Sequence, residues 1–278
     1  MAATPSPDPG YALGDSAGEL ERLVAQGRFV GDLTAHVFQL AGISRGLRVL
    51  DIGCGAGDVS FLTARLVGPE GLVIGVDRSP QAVAVAEQRA AQARVSNVRF
   101  LVSDLSQLTL DGPVDAIVGR LVLMYFTNPA EILRRLLSFV KPGGLVVFQE
   151  IDGASIAAEP MCEEFWTAGQ RISEVFRRAG VDTRTGVKLP AIFREAGLPA
   201  PSTLQMARVE HGPDAEGYAW LEQLTRTLLP LMEQFGVATA GDVNVDSLAA
   251  RIREEVVAKN ATIVLPPFIG AWSRVQLT

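Results

Sequence analysis

Apolar residues recur along this chain in two rhythms, and the switch between them outlines its elements. From 20 to 40 the spacing is helical, with Leu23, Phe29, Val30, Leu33, Val37 and Leu40 in phase and Gly42 as the stop. From Arg48 onward, short apolar runs alternate with helical stretches. The runs at 49–52, 72–76, 98–102, 116–118 and 145–148 predict buried strands. Between them, 58–67 reads as a helix ended by Gly68-Pro69, and Ser79-Pro80 supplies an N-cap and a first-turn proline for a helix to about 94. Asn128-Pro129-Ala130-Glu131 has the form of a capping box. The helix it opens places Leu133, Leu136 and Leu137 on one face, and Lys141-Pro142-Gly143-Gly144 is expected to end it. Five strands alternating with helices predict an α/β fold, a parallel sheet covered on both faces.

Beyond 150 the rhythm changes. The stretch 161–179 predicts a long amphipathic helix, 189–196 a short one, 203–209 a strand, 215–235 a helix kinked at Pro230, 245–259 a further helix and 261–265 a late strand. In an open parallel sheet ligands bind at the carboxyl ends of the strands, the edge from which these helical segments leave. The expected organisation is an N-terminal tail and cap helix at 1–44, then one ligand-binding domain at 45–278. Helical lid insertions are expected at about 153–186 and 212–260, with Phe165, Trp166, Phe176, Trp220, Leu224, Leu228 and Met232 as candidate lining.

Composition narrows the function classes. A net charge of −6 argues against a protein that grips a phosphate backbone. No uninterrupted apolar stretch is long enough to span a bilayer, so no membrane partner is expected. Cys54 and Cys162, with His36 and His211, form no metal-binding spacing, and no metal is expected. Two lone thiols and the Pro-rich opening MAATPSPDPG, which lacks a signal-peptide pattern, suggest a soluble, cytoplasmic protein. Oligomeric state is open, a homodimer included.

The chemistry is concentrated at 49–57, Val-Leu-Asp-Ile-Gly-Cys-Gly-Ala-Gly. Glycines between a strand and a helix let backbone N–H groups approach a ligand closely. Gly53, Gly55 and Gly57 are spaced G-x-G-x-G, and the last glycine place of a dinucleotide fingerprint is taken by Asp58, whose charge would repel a pyrophosphate. Asp51, just before the loop, suits a ligand ammonium. Asp77 ends the second strand twenty residues beyond Gly57, where a carboxylate can accept from both hydroxyls of a ribose. Ser103-Asp104-Leu105 ends the third strand, where an acid can accept from an exocyclic amino group such as that of adenine.

Together VLDIGCGAG at 49–57, VIGVD at 73–77, FLVSDL at 100–105, VDAIVGRLVLMYF at 114–126 and VKPGG at 140–144 resemble class I S-adenosylmethionine (SAM)-dependent methyltransferases, especially the menaquinone/ubiquinone-biosynthesis-like branch. The resemblance implies a Rossmann-like, seven-stranded, mostly parallel sheet whose last strand is antiparallel, expected near 261–265. It implies SAM as cofactor, with Asp51 and Gly53, Cys54, Gly55 and Gly57 at the methionyl part, Asp77 at the ribose, and Asp104 with Leu105 at the adenine; Arg78, Ser103 and Arg120 are further candidates for cofactor binding. Arg120 departs from the small or neutral residue more usual there. Its guanidinium can turn outward, or meet a carboxylate of SAM or of an acidic substrate.

The expected reaction is methyl transfer to an O, N or C nucleophile of a small organic molecule, an in-line displacement that depends on alignment. Where the acceptor carries a proton, a base is needed; Glu150, Asp152 and His211 are the candidates, with Glu150 and His211 named as catalytic. A non-methylating enzyme such as a cyclase, using SAM structurally, is the alternative. A nicotinamide oxidoreductase is disfavoured by Asp51 and Asp58. Leu265-Pro266-Pro267-Phe268 reads as a rigid turn.

Overall fold

The computed structural model describes residues 17–276. The Pro-rich opening and the side chain of Leu23 lie outside the described residues. Helix α1 (Ala17–Ala41) precedes a run of β1 (Arg48–Ile52), α2 (Asp58–Val67), β2 (Leu72–Asp77), α3 (Pro80–Ala93), β3 (Val98–Val102), β4 (Val114–Arg120), α4 (Pro129–Leu136) and β5 (Val140–Ile151). Then follow β6 (Ala157–Glu159), α5 (Glu163–Arg178), α6 (Thr185–Glu195), β7 (Ser202–Met206), β8 (Val209–His211), α7 (Gly217–Gln234), α8 (Ala240–Val243), α9 (Leu248–Ala258), β9 (Thr262–Val264) and β10 (Phe268–Arg274).

The local signals act as expected. Ser79 Oγ accepts from the Ala82 N–H at 3.1 Å to cap α3, and Asn128 Oδ1 accepts from the Glu131 N–H at 3.2 Å to cap α4. The main sheet has seven strands in the order β3-β2-β1-β4-β5-β10-β7. Strands β1 to β5 are parallel, and β10 runs antiparallel to both β5 and β7. The order reverses between β1 and β4, which opens a crevice at their carboxyl ends. Apolar side chains fill both faces of this sheet, with Phe148 and Phe193 on one and Val37 and Phe38 of α1 on the other.

Several boundaries differ from the sequence pattern. The antiparallel strand of the main sheet is β10, not 261–265. Residues Thr262–Val264 instead pair with β6 and β8 in a separate three-stranded sheet. Pro266 and Pro267 carry no N–H and end that ladder, and the chain re-enters the main sheet at Phe268. Gly270 belongs to β10 because a Cβ there would lie 2.6 Å from Val37 Cγ1, so the glycine admits α1. The stretch at 203–209 divides into β7 and β8. Lys141-Pro142-Gly143-Gly144 is an excursion inside β5: pairing with β4 jumps from Val114–Val140 to Ala116–Leu145. Leu40, placed on the buried face of α1 by its spacing, is 52% exposed.

Helices α5, α7 and α9 share a core of their own with Phe29 and Val30 of α1, including Val175, Leu228, Met232, Ile252 and Val256. Leu228 and Met232 are packing residues of this second core, and Trp166 is partly exposed.

Candidate functional site

A cavity of about 540 Å³ opens at the carboxyl ends of β1, β2, β3 and β4 and runs under α1, α5 and α7. One end is formed by the loop after β1 and by the ends of β2 and β3. Gly53, Cys54, Gly55, Asp77, Arg78, Ser103, Asp104 and Leu105 all face it. The loop needs its glycines: Gly53 and Gly55 have φ of +65° and +51°, and a Cβ on Gly53 would lie 2.5 Å from Val122 Cγ2.

Asp77 holds this end together. Its Oδ2 accepts from the Gly55 N–H and its Oδ1 from the Ser79 N–H, each at 2.9 Å. Each oxygen retains a second lone pair for a ligand hydroxyl. Asp104 is exposed at the rim, and hydrogen bonds from Ser106 hold its carboxyl below the usual carboxylate range.

Two sequence candidates do not reach the cavity wall. Gly57, with φ of +89°, caps α2 and packs on Phe61 and Phe100. Asp51 lies beneath the loop, 1% exposed. Its Oδ2 accepts from Ser60 Oγ at 2.6 Å, while its buried Oδ1 has no hydrogen-bond partner among the described residues. Burial pushes its pKa up to about 7. Asp58, read as a barrier to pyrophosphate, is ion-paired with Arg89 at 2.8 Å.

Arg120 turns inward. It lines the cavity, its Nη1 donates to Thr34 Oγ1 of α1 at 3.1 Å, and Thr34 Oγ1 in turn donates to Gln149 Oε1 at 2.7 Å. Among the described residues no carboxylate lies within ion-pair distance of it. Burial lowers its pKa, opposed by the nearby charges of Asp58 and Asp51.

The other end of the cavity is apolar. Phe165, Ile172, Phe176, Trp220 and Leu224 line it, with Ser173 and Thr183 as the small polar groups between them. Trp220 is fixed by stacking on Phe29, ring centroids 5.7 Å apart at 24°, and the Arg208 guanidinium lies 4.9 Å from the centroid of the Phe29 ring.

The candidate bases are corrected by this geometry. Glu150 is fully buried, does not line the cavity, and accepts from the backbone N–H groups of Val122 at 3.0 Å and Leu123 at 2.8 Å. His211 is exposed on β8 of the small sheet, paired with Thr262 and away from the cavity. Asp152 accepts from Ser155 Oγ at 2.6 Å and pairs with Arg184 at 3.3 Å, also off the wall. Residues that the sequence did not single out do line it, among them Arg22, Gln26, Val122, Tyr125 and Phe126. Helical spacing around Arg22 and the apolar run after Arg120 were legible, but neither says which side chain faces a ligand. Among the described residues, no group of three His, Cys, Asp or Glu side chains is placed to hold a metal ion. No helix among them is long and apolar enough to cross a membrane.

A family model for the methyltransferase domain matches residues 43–197, more than half of the chain and the whole of the glycine-loop end of the cavity. The chain belongs to this methyltransferase-domain family. Among related sequences, this family member is 36% identical over 121 residues to the ubiquinone/menaquinone biosynthesis C-methyltransferase of Azotobacter vinelandii, covering 43% of its own length and 48% of that protein. It is 30% identical over 129 residues to the arsenite methyltransferase of Halobacterium salinarum, covering 46% of its own length and 33% of that protein. The chain thus spans a third to a half of the curated relatives it matches. A candidate methyltransferase from Bacillus halodurans C-125 has the same fold, with a TM-score of 0.58 at 14% identity, over 87% of this chain and 98% of that one.

Proposed function

We propose that this methyltransferase-family protein moves the methyl group of SAM to an O, N or C nucleophile on a small, largely apolar organic molecule. The observation that carries the reading is one continuous cavity, polar and glycine-lined at one end and aromatic at the other. The first end fits SAM by its own unmet chemistry. Among the described residues, Asp51 keeps an unpartnered buried oxygen, and Arg120 lies in the wall without a carboxylate partner.

In this reading SAM supplies an electrophilic methyl group, and the chain supplies alignment. Asp77 takes the ribose hydroxyls while bracing Gly55, and Ser103, Asp104 and Leu105 take the adenine. The guanidinium of Arg120 takes the methionyl carboxylate, with Asp51 favouring the ammonium from beneath the loop. The wall of Phe165, Ile172, Phe176 and Trp220 surrounds the acceptor and excludes water. In the same reading α1 is a cap, and the segments 153–186 and 212–260 form a lid whose helices α5, α7 and α9 pack with α1 in a shared core. The free thiols of Cys54 and Cys162 accord with a cytoplasmic setting. The family match and the curated methyltransferase relatives favour methyl transfer over a non-methylating activity on this fold.

Titration calorimetry with SAM and S-adenosylhomocysteine, followed by an assay for S-adenosylhomocysteine across phenolic, amine and enolic acceptors, tests this. Micromolar SAM binding and acceptor-dependent product are expected. Absence of SAM binding would remove the assignment.

A further inference from the structure

Glu150 is the buried titratable group that this scheme leaves unused. It stands near the end of β5, 0% exposed, beside the turn that leaves β4. That turn is unusual. Leu121 has φ of +52°, a left-handed conformation that a γ-branched residue rarely adopts, and its N–H donates to Gln149 O at 2.9 Å. The next two N–H groups, of Val122 and Leu123, both donate to Glu150 Oε1. Oε2 is buried without a partner among the described residues. Leu121 and Val122 line the cavity, and Val122 Cγ2 occupies the space that a Cβ on Gly53 would need.

We infer that Glu150 is a positioning residue: it collects the two amide protons after Leu121, holds the strained turn in place, and so presses Val122 against Gly53 of the glycine loop. A base role would need the carboxylate on the cavity wall, whereas the whole of its engaged oxygen faces backbone. The function required of the side chain is one acceptor oxygen in a dry site. Burial pushes its pKa up to about 7, so the neutral acid is populated at physiological pH, and glutamine is the isostere of that form. The effect on SAM rests on the cofactor reading above; the hold on the turn does not.

The test compares wild type, Glu150→Gln and Glu150→Leu by two measurements: SAM affinity by calorimetry, and amide exchange at Val122 and Leu123 without ligand. Glu150→Gln is expected to keep SAM affinity within about threefold and to keep both amides protected. Glu150→Leu is expected to weaken SAM by at least about tenfold and to speed exchange at both amides, with protection in β1 and β2 retained. Retention of affinity by Glu150→Leu, or a loss in Glu150→Gln equal to that in Glu150→Leu, overturns the inference. Should Glu150→Leu fail to fold, Val122→Ala removes the contact with Gly53 and leaves the carboxyl in place. It must then weaken SAM by about fivefold or more, and unchanged affinity is a refutation. If wild type binds no SAM, the cofactor reading falls, and the exchange at Val122 and Leu123 still decides whether Glu150 holds the turn.

Discussion

Asp77 and Gly55, 22 residues apart, are joined by a 2.9 Å hydrogen bond in which the loop amide donates to Oδ2 of the carboxylate. The acid at the end of β2 therefore shapes the loop after β1 as well as facing the cavity. Its removal frees a backbone N–H and a ligand contact together. Asp77→Ala is expected to weaken SAM by at least about tenfold, on the order of 1.4 kcal/mol. Asp77→Asn keeps one acceptor oxygen and should fall between. Calorimetric affinity equal to wild type in Asp77→Ala would end the ribose assignment.

Arg120 offers a second separation. Among the described residues its hydrogen-bond partner is neutral, Thr34, so the fold loses little without it. Arg120→Met should unfold within a few degrees of wild type yet bind SAM at least about tenfold more weakly, since a charge-assisted contact to a carboxylate is lost. Unchanged SAM affinity with turnover lost would move the guanidinium to the acceptor and mark that acceptor as an acid.

The carboxyl of Glu150 also predicts a pH dependence of stability. Its pKa rises from 4.5 to about 7 on folding, so between those values the native state holds a proton that the unfolded state has released. Its contribution is full below about pH 4.5 and is lost as the pH rises through about 7. Glu150→Gln does not titrate, and Asp51, also raised to about 7, is common to both proteins. Urea unfolding at pH 5, 6 and 8 should therefore find Glu150→Gln gaining on wild type with rising pH, by on the order of 1 to 3 kcal/mol across the range. A gap that stays constant would mean that Glu150 does not titrate there.

The aromatic end of the cavity predicts a site that can be closed independently of the cofactor end. Ser173 lies on the wall among Phe165, Ile172 and Phe176. A tryptophan at 173 fills that volume at a distance from Gly55 and Asp77. Wild type should bind an apolar fluorescent probe such as an anilinonaphthalene at one saturable site in the presence of SAM. Ser173→Trp should abolish that binding and leave SAM affinity within about threefold of wild type. Probe binding that survives the substitution would place the apolar ligand elsewhere.

The sequence by itself determined the parts of this protein that obey short-range rules. A strand, a glycine turn and a helix at 49–67, the Ser79 and Asn128 caps, and acids at the ends of β2 and β3 are each specified within a few residues. Parallel pairing then brings those strand ends to one edge, which is why Gly53, Gly55, Asp77 and Asp104 meet in one cavity. The family pattern lay in the same segment. What only the tertiary structure decided is every choice between distant partners. Thr262–Val264 and Phe268–Arg274 are both apolar and strand-like, and only the available edge of β5, together with the space that Gly270 leaves for Val37, selects the second to close the main sheet. Glu150 and His211 both stand near the ends of strands that the sequence pattern directs to a ligand edge. Yet one side chain turns to the amides after Leu121 and the other to the surface of a second sheet. Strand position says where a residue stands along an edge. Which buried donor its side chain answers depends on backbone brought there from elsewhere, because an unpaired amide in the interior costs more than a carboxyl displaced from the cavity wall.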